Sequence, residues 1–208
     1  MAASSKTEQK IIEAATAVFL QKGKQGARMQ EIADRAGINK ALLHYYFRSK
    51  DQLYQQVFNH QVRQIMLDIF QSMPLHQNFR EYLQFFIEEY ISRLHRSPQI
   101  VRFMLWEIDN EADNLKTALS ELFRSPAQAP PREFILRIQQ AVEKREIRPL
   151  DPYHLLFNIL GMCLYVFTAR PILQAIFPEV ETTSEAFVQK RKQEIFELVW
   201  RGIRTTEV

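Results

Sequence analysis

Residues 29–54, MQEIADRAGINKALLHYYFRSKDQLY, hold two short helical patterns, 30–36 and 40–47, separated only by Gly37, Ile38 and Asn39. A helix, a tight turn containing Gly and a second short helix make the pattern of a helix-turn-helix, whose second helix lies in the DNA major groove. Asn39 is a good N-cap, because its side-chain oxygen can accept an orphan amide of the next turn. At about 100° per residue, Leu43 and Phe47 fall on one inward face, with Ile38 entering from the turn. The opposite face carries Ala41 and Tyr45, flanked by Leu42, His44 and Tyr46, with Lys40 at the N-terminal end. Lys40 can donate to guanine O6 and N7, and Ala41 and Leu42 can touch a thymine methyl. His44, Tyr45 and Tyr46 can donate to phosphate or pack on sugar and base edges. Ser49-Lys50-Asp51 then opens a further helix, where Ser49 caps and Lys50, beside a helix N-terminus, is expected to clamp a phosphate.

Helical hairpins with Gly in the turn also occur in unrelated folds, and two aromatics beside Leu42 suit a core as well as a reading surface. Charge favours the reading surface. Residues 1–51 carry nine Lys+Arg against five Asp+Glu, net +4, whereas residues 52–208 carry 18 against 19, net −1. Basic charge concentrated on the segment that holds the motif is the footprint of a phosphate-facing surface.

Outward from the motif, 208 residues suffice for a small head and a larger body. Only five glycines, no alternating β-branched runs and many Leu, Gln, Glu, Arg and Phe predict an all-α protein. No apolar run approaches the roughly 18 residues needed to span a bilayer, and the polar start is followed by no secretory core. A cytoplasmic protein with no membrane partner is expected. The single cysteine, Cys163, excludes an internal disulfide and a cysteine-based zinc site; within the apolar 159–166 stretch it reads as a buried, inert thiol.

A first helix is predicted from the capping box Ser5-Lys6-Thr7-Glu8, with an apolar stripe at Ile11, Ile12, Ala15, Val18 and Phe19 and Gly23 beyond its end. Further helices are predicted over 49–71, 78–96, 98–111, 115–123, 131–145, 152–168 and 184–204. The proline-rich segment 125–131 reads as a surface loop.

With these residues in view, the first 58 resemble the DNA-binding head of the tetracycline-repressor (TetR) family of transcriptional regulators. The matching residues are Ile11-Ile12-Glu13-Ala14-Ala15, Phe19, Gly23, Glu31-Ile32-Ala33, Ala36-Gly37-Ile38, Lys40, Leu43, Tyr46-Phe47, Ser49-Lys50 and Leu53. The rest of the plan is similar too: about 150 divergent helical residues, with Arg148-Pro149-Leu150-Asp151-Pro152 before an apolar helix. The resemblance implies an N-terminal three-helix DNA-binding head, 1–51, and a helical effector-binding and dimerisation body, 52–208. It implies phosphate contacts from Lys50 and Tyr46, a base or phosphate contact from Lys40, and core roles for Leu43 and Phe47. Arg28 and Gln30 complete the expected DNA-facing set. Ala27, Arg28 and Met29 stand where the family usually has threonines; Arg28 can replace their phosphate contact but not their cap. Leu42 and His44 depart from the usual small or hydroxyl-bearing residue and tyrosine, which points to a different base preference.

One short helix reads few base pairs, so specificity calls for two heads at fixed spacing. A homodimer on a pseudo-palindromic operator, reading helices about 34 Å apart, is expected. Its interface is predicted on the two C-terminal helices, through Leu155, Ile159, Met162, Val166, Ile195, Leu198 and Val199; the plainer reading is that both stripes only complete the monomer's own core. The body is rich in aromatics and Met. Phe86, Tyr90, Phe103, Met104, Trp106, Glu107, Phe134 and Phe157 lie on helices that enclose the effector pocket in the family it resembles. A small, largely apolar effector is expected to release the operator; Glu89, Glu107 and Asp109 would favour a cationic guest if they point inward. The mechanism implied is displacement of the helix that begins near Lys50, with altered spacing between reading helices.

An enzyme is not expected: there is no Gly-rich phosphate loop or nucleophile elbow, and the histidines at 44, 60, 76, 95 and 154 lack paired metal spacing. No metal or cofactor is expected. The remaining alternative is an effector-independent or architectural DNA-binding protein.

Overall fold

Capping and periodicity set nearly every helix end. The computed structural model describes residues 2–71, 78–98, 101, 105, 107, 116, 120 and 130–205. Among these lie nine helices: α1 (Ala2–Gly26), α2 (Met29–Ala36), α3 (Lys40–Tyr46), α4 (Lys50–Gln71), α5 (Phe79–Arg96), α6 (Pro130–Glu143), α7 (Pro152–Thr168), α8 (Arg170–Ile176) and α9 (Glu185–Ile203). Residues 101, 105, 107, 116 and 120 are also helical. The β-type pairing found among the described residues is one isolated bridge, Ile147 to Arg204. The fold is all-α, and none of the described helices is by itself long and apolar enough to cross a membrane. Most of the loop expected at 125–131 and of the helices expected at 98–111 and 115–123 lies outside the described residues; Pro130 and Pro131, expected in that loop, instead open α6, where proline in the first turn has no N–H to lose.

Two boundaries differ from the sequence reading. α1 begins at Ala2, ahead of the Ser5 capping box, and its regular course breaks where expected, at Gly23 (φ 66°, ψ 175°). α8 was not anticipated. It is only seven residues long and opens on Arg170-Pro171, too short for the spacing of Ile172, Leu173 and Ile176 to stand out as a period, and it buries none of its side chains.

The chain divides into two compact units, Met1–Gln64 with Arg102–Glu121, and Ile65–Val101 with Leu122–Val208. The first unit thus takes α4 as far as Gln64, beyond the 51/52 boundary read from charge. Its core is Ile11, Ala15, Val18 and Phe19 from α1, Ile32 and Ala33 from α2, Leu43 from α3, Phe47 just after it, and Leu53, Tyr54, Val57 and Phe58 from α4, all buried. Burying each large apolar side chain of this set stabilises the unit by about 1.5–3 kcal/mol. Tyr54 meets Phe19 edge-on at 5.0 Å and stacks with Phe58 at 6.5 Å.

In the second unit α5 buries Phe79, Tyr82, Leu83, Phe86, Ile87, Ile91 and Leu94, a stripe at helical spacing. All of these but Leu94 pack with Phe134, Ile138, Leu155, Ile159, Cys163, Ile195, Phe196 and Val199 in one core. The N-terminus of α5 is satisfied twice: Asn78 Oδ1 accepts from Glu81 N, and Glu146 Oε2 accepts from Phe79 N at 3.0 Å. Arg148 ties the far end of α9 to the turn before α7, its backbone N donating to Ile203 O at 2.8 Å and its Nε to Gly202 O at 2.8 Å. Burial pushes the Cys163 thiol up to about 12, against an opposing pull from Arg191, so the thiol stays protonated and inert.

Candidate DNA-binding interface

The turn between α2 and α3 works because Gly37 takes the left-handed conformation (φ 68°, ψ 34°) that closes α2, its N–H reaching the carbonyls of Ala33 and Asp34. A Cβ there would be strained by backbone conformation alone. Asn39 Oδ1 then accepts from Leu42 N at 2.7 Å and starts α3, and Phe47 N closes it on Leu43 O at 2.8 Å. These constraints fix which way a seven-residue helix faces. Leu43 is fully buried, while Lys40, Ala41, Leu42, His44 and Tyr45 are exposed; Tyr45 keeps 81% of its surface in water.

Tyr46 is half-buried, its ring edge-on to Tyr45 at 5.6 Å, so the two phenols brace one another. His44 Nδ1 lies 3.4 Å from the Arg48 carbonyl. Arg28 occupies the N-cap of α2 with extended backbone and no side-chain cap, leaving its guanidinium exposed as the missing threonine predicts. Gln30, also exposed, donates to Asp34 Oδ1 at 2.8 Å.

Lys50 makes contacts that the sequence did not reveal. Its Nζ lies 3.4 Å from Gln25 O and 3.3 Å from Ala27 O, tying α4 to the turn between α1 and α2. Ser49 Oγ accepts from Gln52 N at 3.1 Å and caps α4 as expected. Of the other basic residues of the head, Lys22 is paired with Glu31 at 2.6 Å and Lys24 with Asp51 at 3.1 Å. Arg28, Arg35, Lys40 and Arg48 are exposed and form no ion pair among the described residues. Arg48, in the α3–α4 connection, was not in the expected set; its only sequence signal is a positive charge between the two helices.

Of the residues expected in an effector pocket, some are described in each unit and some lie outside the described residues. Phe86 and Phe134 are buried in the second unit with centroids 4.5 Å apart, and Tyr90, half-buried, stacks on Phe86 at 5.8 Å. Burial drives the Tyr90 phenol pKa well up, aided by Cys163. Glu107 belongs to the first unit and is buried. Phe157 is exposed, not inward: it stands on the face of α7 opposite Leu155, Ile159 and Cys163. Phe103, Met104, Trp106 and Asp109 lie outside the described residues. Glu89 is engaged by Arg93 one turn on, at 2.7 Å.

The expected dimer residues also require correction. Leu155, Ile159, Val166, Ile195 and Val199 are buried within the chain's own core and Met162 packs against it, so the plainer reading holds for them; Leu198 alone of the set is exposed, at 67%. The physical reason is that α7 is apolar over most of its circumference, broken by His154 and Asn158, so its wide stripe alone does not say which apolar residues face inward. Among the described residues no group of His, Cys, Asp and Glu could hold a metal ion.

Comparison with known proteins agrees with this geometry. The family described as bacterial regulatory proteins, tetR family, matches residues 11–57, and the tetracyclin repressor-like C-terminal domain matches residues 77–207. The HTH-type transcriptional regulator RutR of Escherichia coli (strain K12) is 30% identical over 211 residues, covering 97% of this chain and 92% of RutR. A TetR-family transcriptional regulator from Haemophilus influenzae superposes with a TM-score of 0.64 at 16% identity, covering 99% of this chain and 100% of that one. AibR, solved in complex with isovaleryl coenzyme A and operator DNA, superposes with a TM-score of 0.69 at 18% identity, covering 93% of this chain and 98% of its own. With its helix-turn-helix head and helical body both matched, the chain belongs to the TetR family of bacterial transcriptional regulators.

Proposed function

We propose that this regulator is a repressor that binds a pseudo-palindromic operator as a homodimer and is released by a small, largely apolar effector. The observation that carries the DNA part is the outer face of α3: five exposed side chains, with Lys40 leading and Tyr45 held in water, on a helix pinned by one buried Leu43 and capped at both ends. A helix presented in this way inserts without rearrangement, so little binding energy is lost to ordering. Lys40, Ala41, Leu42, His44 and Tyr45 read base edges; Arg28, Gln30, Tyr46, Arg48 and Lys50 hold the phosphates on either side.

The dimer reading rests on the outer face of α7. Tyr153, Phe157 and Tyr165 stand there exposed at 57%, 61% and 56%, with Gly161 completing the four-residue spacing. A mid-helix Gly costs about 0.5–1 kcal/mol relative to Ala. Within this chain nothing lies within 4 Å of where a Cβ at Gly161, or at Gly202 beside Leu198 on α9, would sit. The vacancy serves no packing inside the protomer, and it suits the close approach of a second copy's helix. Two α7–α9 pairs then make a four-helix bundle. AibR, whose complex holds both isovaleryl coenzyme A and operator DNA, supports effector control as a shared plan. Coupling of about 1–3 kcal/mol between the two sites would weaken operator binding about 5- to 150-fold. The relatives' role as transcriptional regulators supports a non-enzymatic, cytoplasmic protein.

Gel-shift selection from pooled genomic fragments at low ionic strength tests this reading: a retained set sharing an inverted repeat is expected, and retention of nothing would remove it. An effector-independent DNA binder would give the same fragments but no thermal stabilisation from any small molecule.

A further inference from the structure

Glu107 is a buried carboxylate, 1% exposed, and its Oε1 has no hydrogen-bond partner. Taking a carboxylate out of water is among the most costly burials unless a cation or a set of donors replaces its hydration. Among the described residues of the first unit, the Tyr54 hydroxyl is a neutral donor close enough to interact with it. The phenol registers that neighbour: burial drives its pKa far up, and the hydrogen-bonding and charge of Glu107 drive it further. No Lys, Arg or His pairs with Glu107 among the described residues. The nearby ammonium of Lys24, over the Tyr54 ring at 5.2 Å, is engaged by Asp51 at 3.1 Å. A buried acceptor with an unused oxygen complements a donor that arrives from outside, and its charge repels an anion.

We propose that Glu107 is the recognition group for a cationic effector, an ammonium or amidinium nitrogen that donates to Oε1 and neutralises the carboxylate. This rests on the effector-responsive reading above and gives that effector its chemical class. Occupancy has a route to the head within the first unit. Tyr54 lies on the first turns of α4, wedged edge-on against Phe19 of α1, under Lys24 and stacked on Phe58. A cation that claims the Glu107 charge alters what the Tyr54 hydroxyl faces, and the ring carrying that hydroxyl sets the packing of α4 on α1. Tyr54 is therefore a positioning residue, and Glu107 the ligand contact.

The test uses the full-length protein with a graded cation series, from methylammonium to benzylammonium, benzamidine and spermidine. Benzyl alcohol and benzoate serve as skeleton-matched neutral and anionic probes. Thermal stabilisation and release of a fluorescent operator are both read. At least one cation is expected to stabilise the wild type well beyond the alcohol and benzoate, with affinity falling about tenfold or more in Glu107→Gln. Tyr54→Phe is expected to keep cation affinity within about threefold and to lose most of the cation-induced operator release. Failure of the whole cation series while the alcohol or benzoate binds, or unchanged cation affinity in Glu107→Gln, overturns the assignment and leaves an effector-responsive regulator. Stabilisation by no probe of any charge, with operator binding intact, overturns the effector-responsive reading itself. Should Glu107→Gln fail to fold, the ranking of cation over alcohol over benzoate on the wild type decides alone.

Discussion

In α3 one side chain, Leu43, is buried and the outer face mixes a cation, small apolar groups and hydrogen-bonding aromatics; in α7 a full stripe is buried and the outer face sets Tyr153, Phe157 and Tyr165 beside His154, Asn158 and Gly161. Both helices hold large side chains in water, yet the chemistry of the two faces differs. Lys40, His44 and Tyr45 offer donors to base edges and phosphates, which a nucleic acid satisfies. Tyr153, Phe157 and Tyr165, with Gly161 between them, offer area and close approach, which another helix satisfies. Exposed aromatic surface is thus read by its company: beside cations it points to nucleic acid, beside glycine and more apolar surface to protein.

The sharpest way to break this contrast is Phe157→Arg. Charge at the centre of the α7 outer face is expected to leave a folded monomer and to weaken operator binding by on the order of 10²-fold or more, because two linked heads become one. Sedimentation at micromolar concentration reads the assembly directly, and a variant that stays dimeric would return the outer face to plain solvent exposure. On the opposite side of the same helix, Ile159→Ala is expected to cost about 2–5 kcal/mol in urea denaturation, since Ile159 is fully buried. If the two variants lost equal intrinsic stability, the division of α7 into an inner and an outer face would fail.

Within the head the comparison is between Lys40 and Lys50. Lys40→Ala is expected to relax preference at one or two base positions, worth about 1–3 kcal/mol each. Lys50→Ala is expected to weaken binding to every sequence, to flatten the salt dependence by about one charge and to lower the head's stability slightly through the lost tie to Gln25 and Ala27. Indistinguishable losses on random DNA would erase the distinction between reading and clamping.

The smallest effect concerns the start of α7. Asp151 accepts from the backbone N–H of His154 and of Tyr153, His154 first in weight, and its pKa is held below the ordinary 3.8. Because the folded pKa lies below the unfolded one, this contribution is fully present above about pH 4–5 and is lost as pH falls through the folded value. Asp151→Asn keeps a cap without a titrating charge, so the acid limb of its stability curve is expected to be shallower in pH-dependent melting. A limb identical to the wild type would show that Asp151 does not drive it.

The head was legible residue by residue because its signals are local. Asn39, Gly37 and Ser49 each act on backbone groups two to four positions away, and the α3 periodicity has one polar and one apolar side. The missed features are contacts between distant segments: Lys50 reaching the carbonyls of Gln25 and Ala27, Glu146 capping α5 at Phe79, and Glu107 beside Tyr54. No spacing rule encodes these, because the partners meet only when separate helices pack.

The order of the described helices other than α8, the outward face of α3 and the TetR resemblance were therefore set by sequence alone, through short-range hydrogen bonding and a clear amphipathic period. Which face of α7 turns inward, the contacts of Lys50 with Gln25 and Ala27, the exposure of Phe157 and the burial of Glu107 were decided only by the tertiary structure. A helix that is apolar over most of its circumference has no sharply defined inside until its neighbours supply one, and a charged side chain shows its solvation only once the surrounding helices have closed over it.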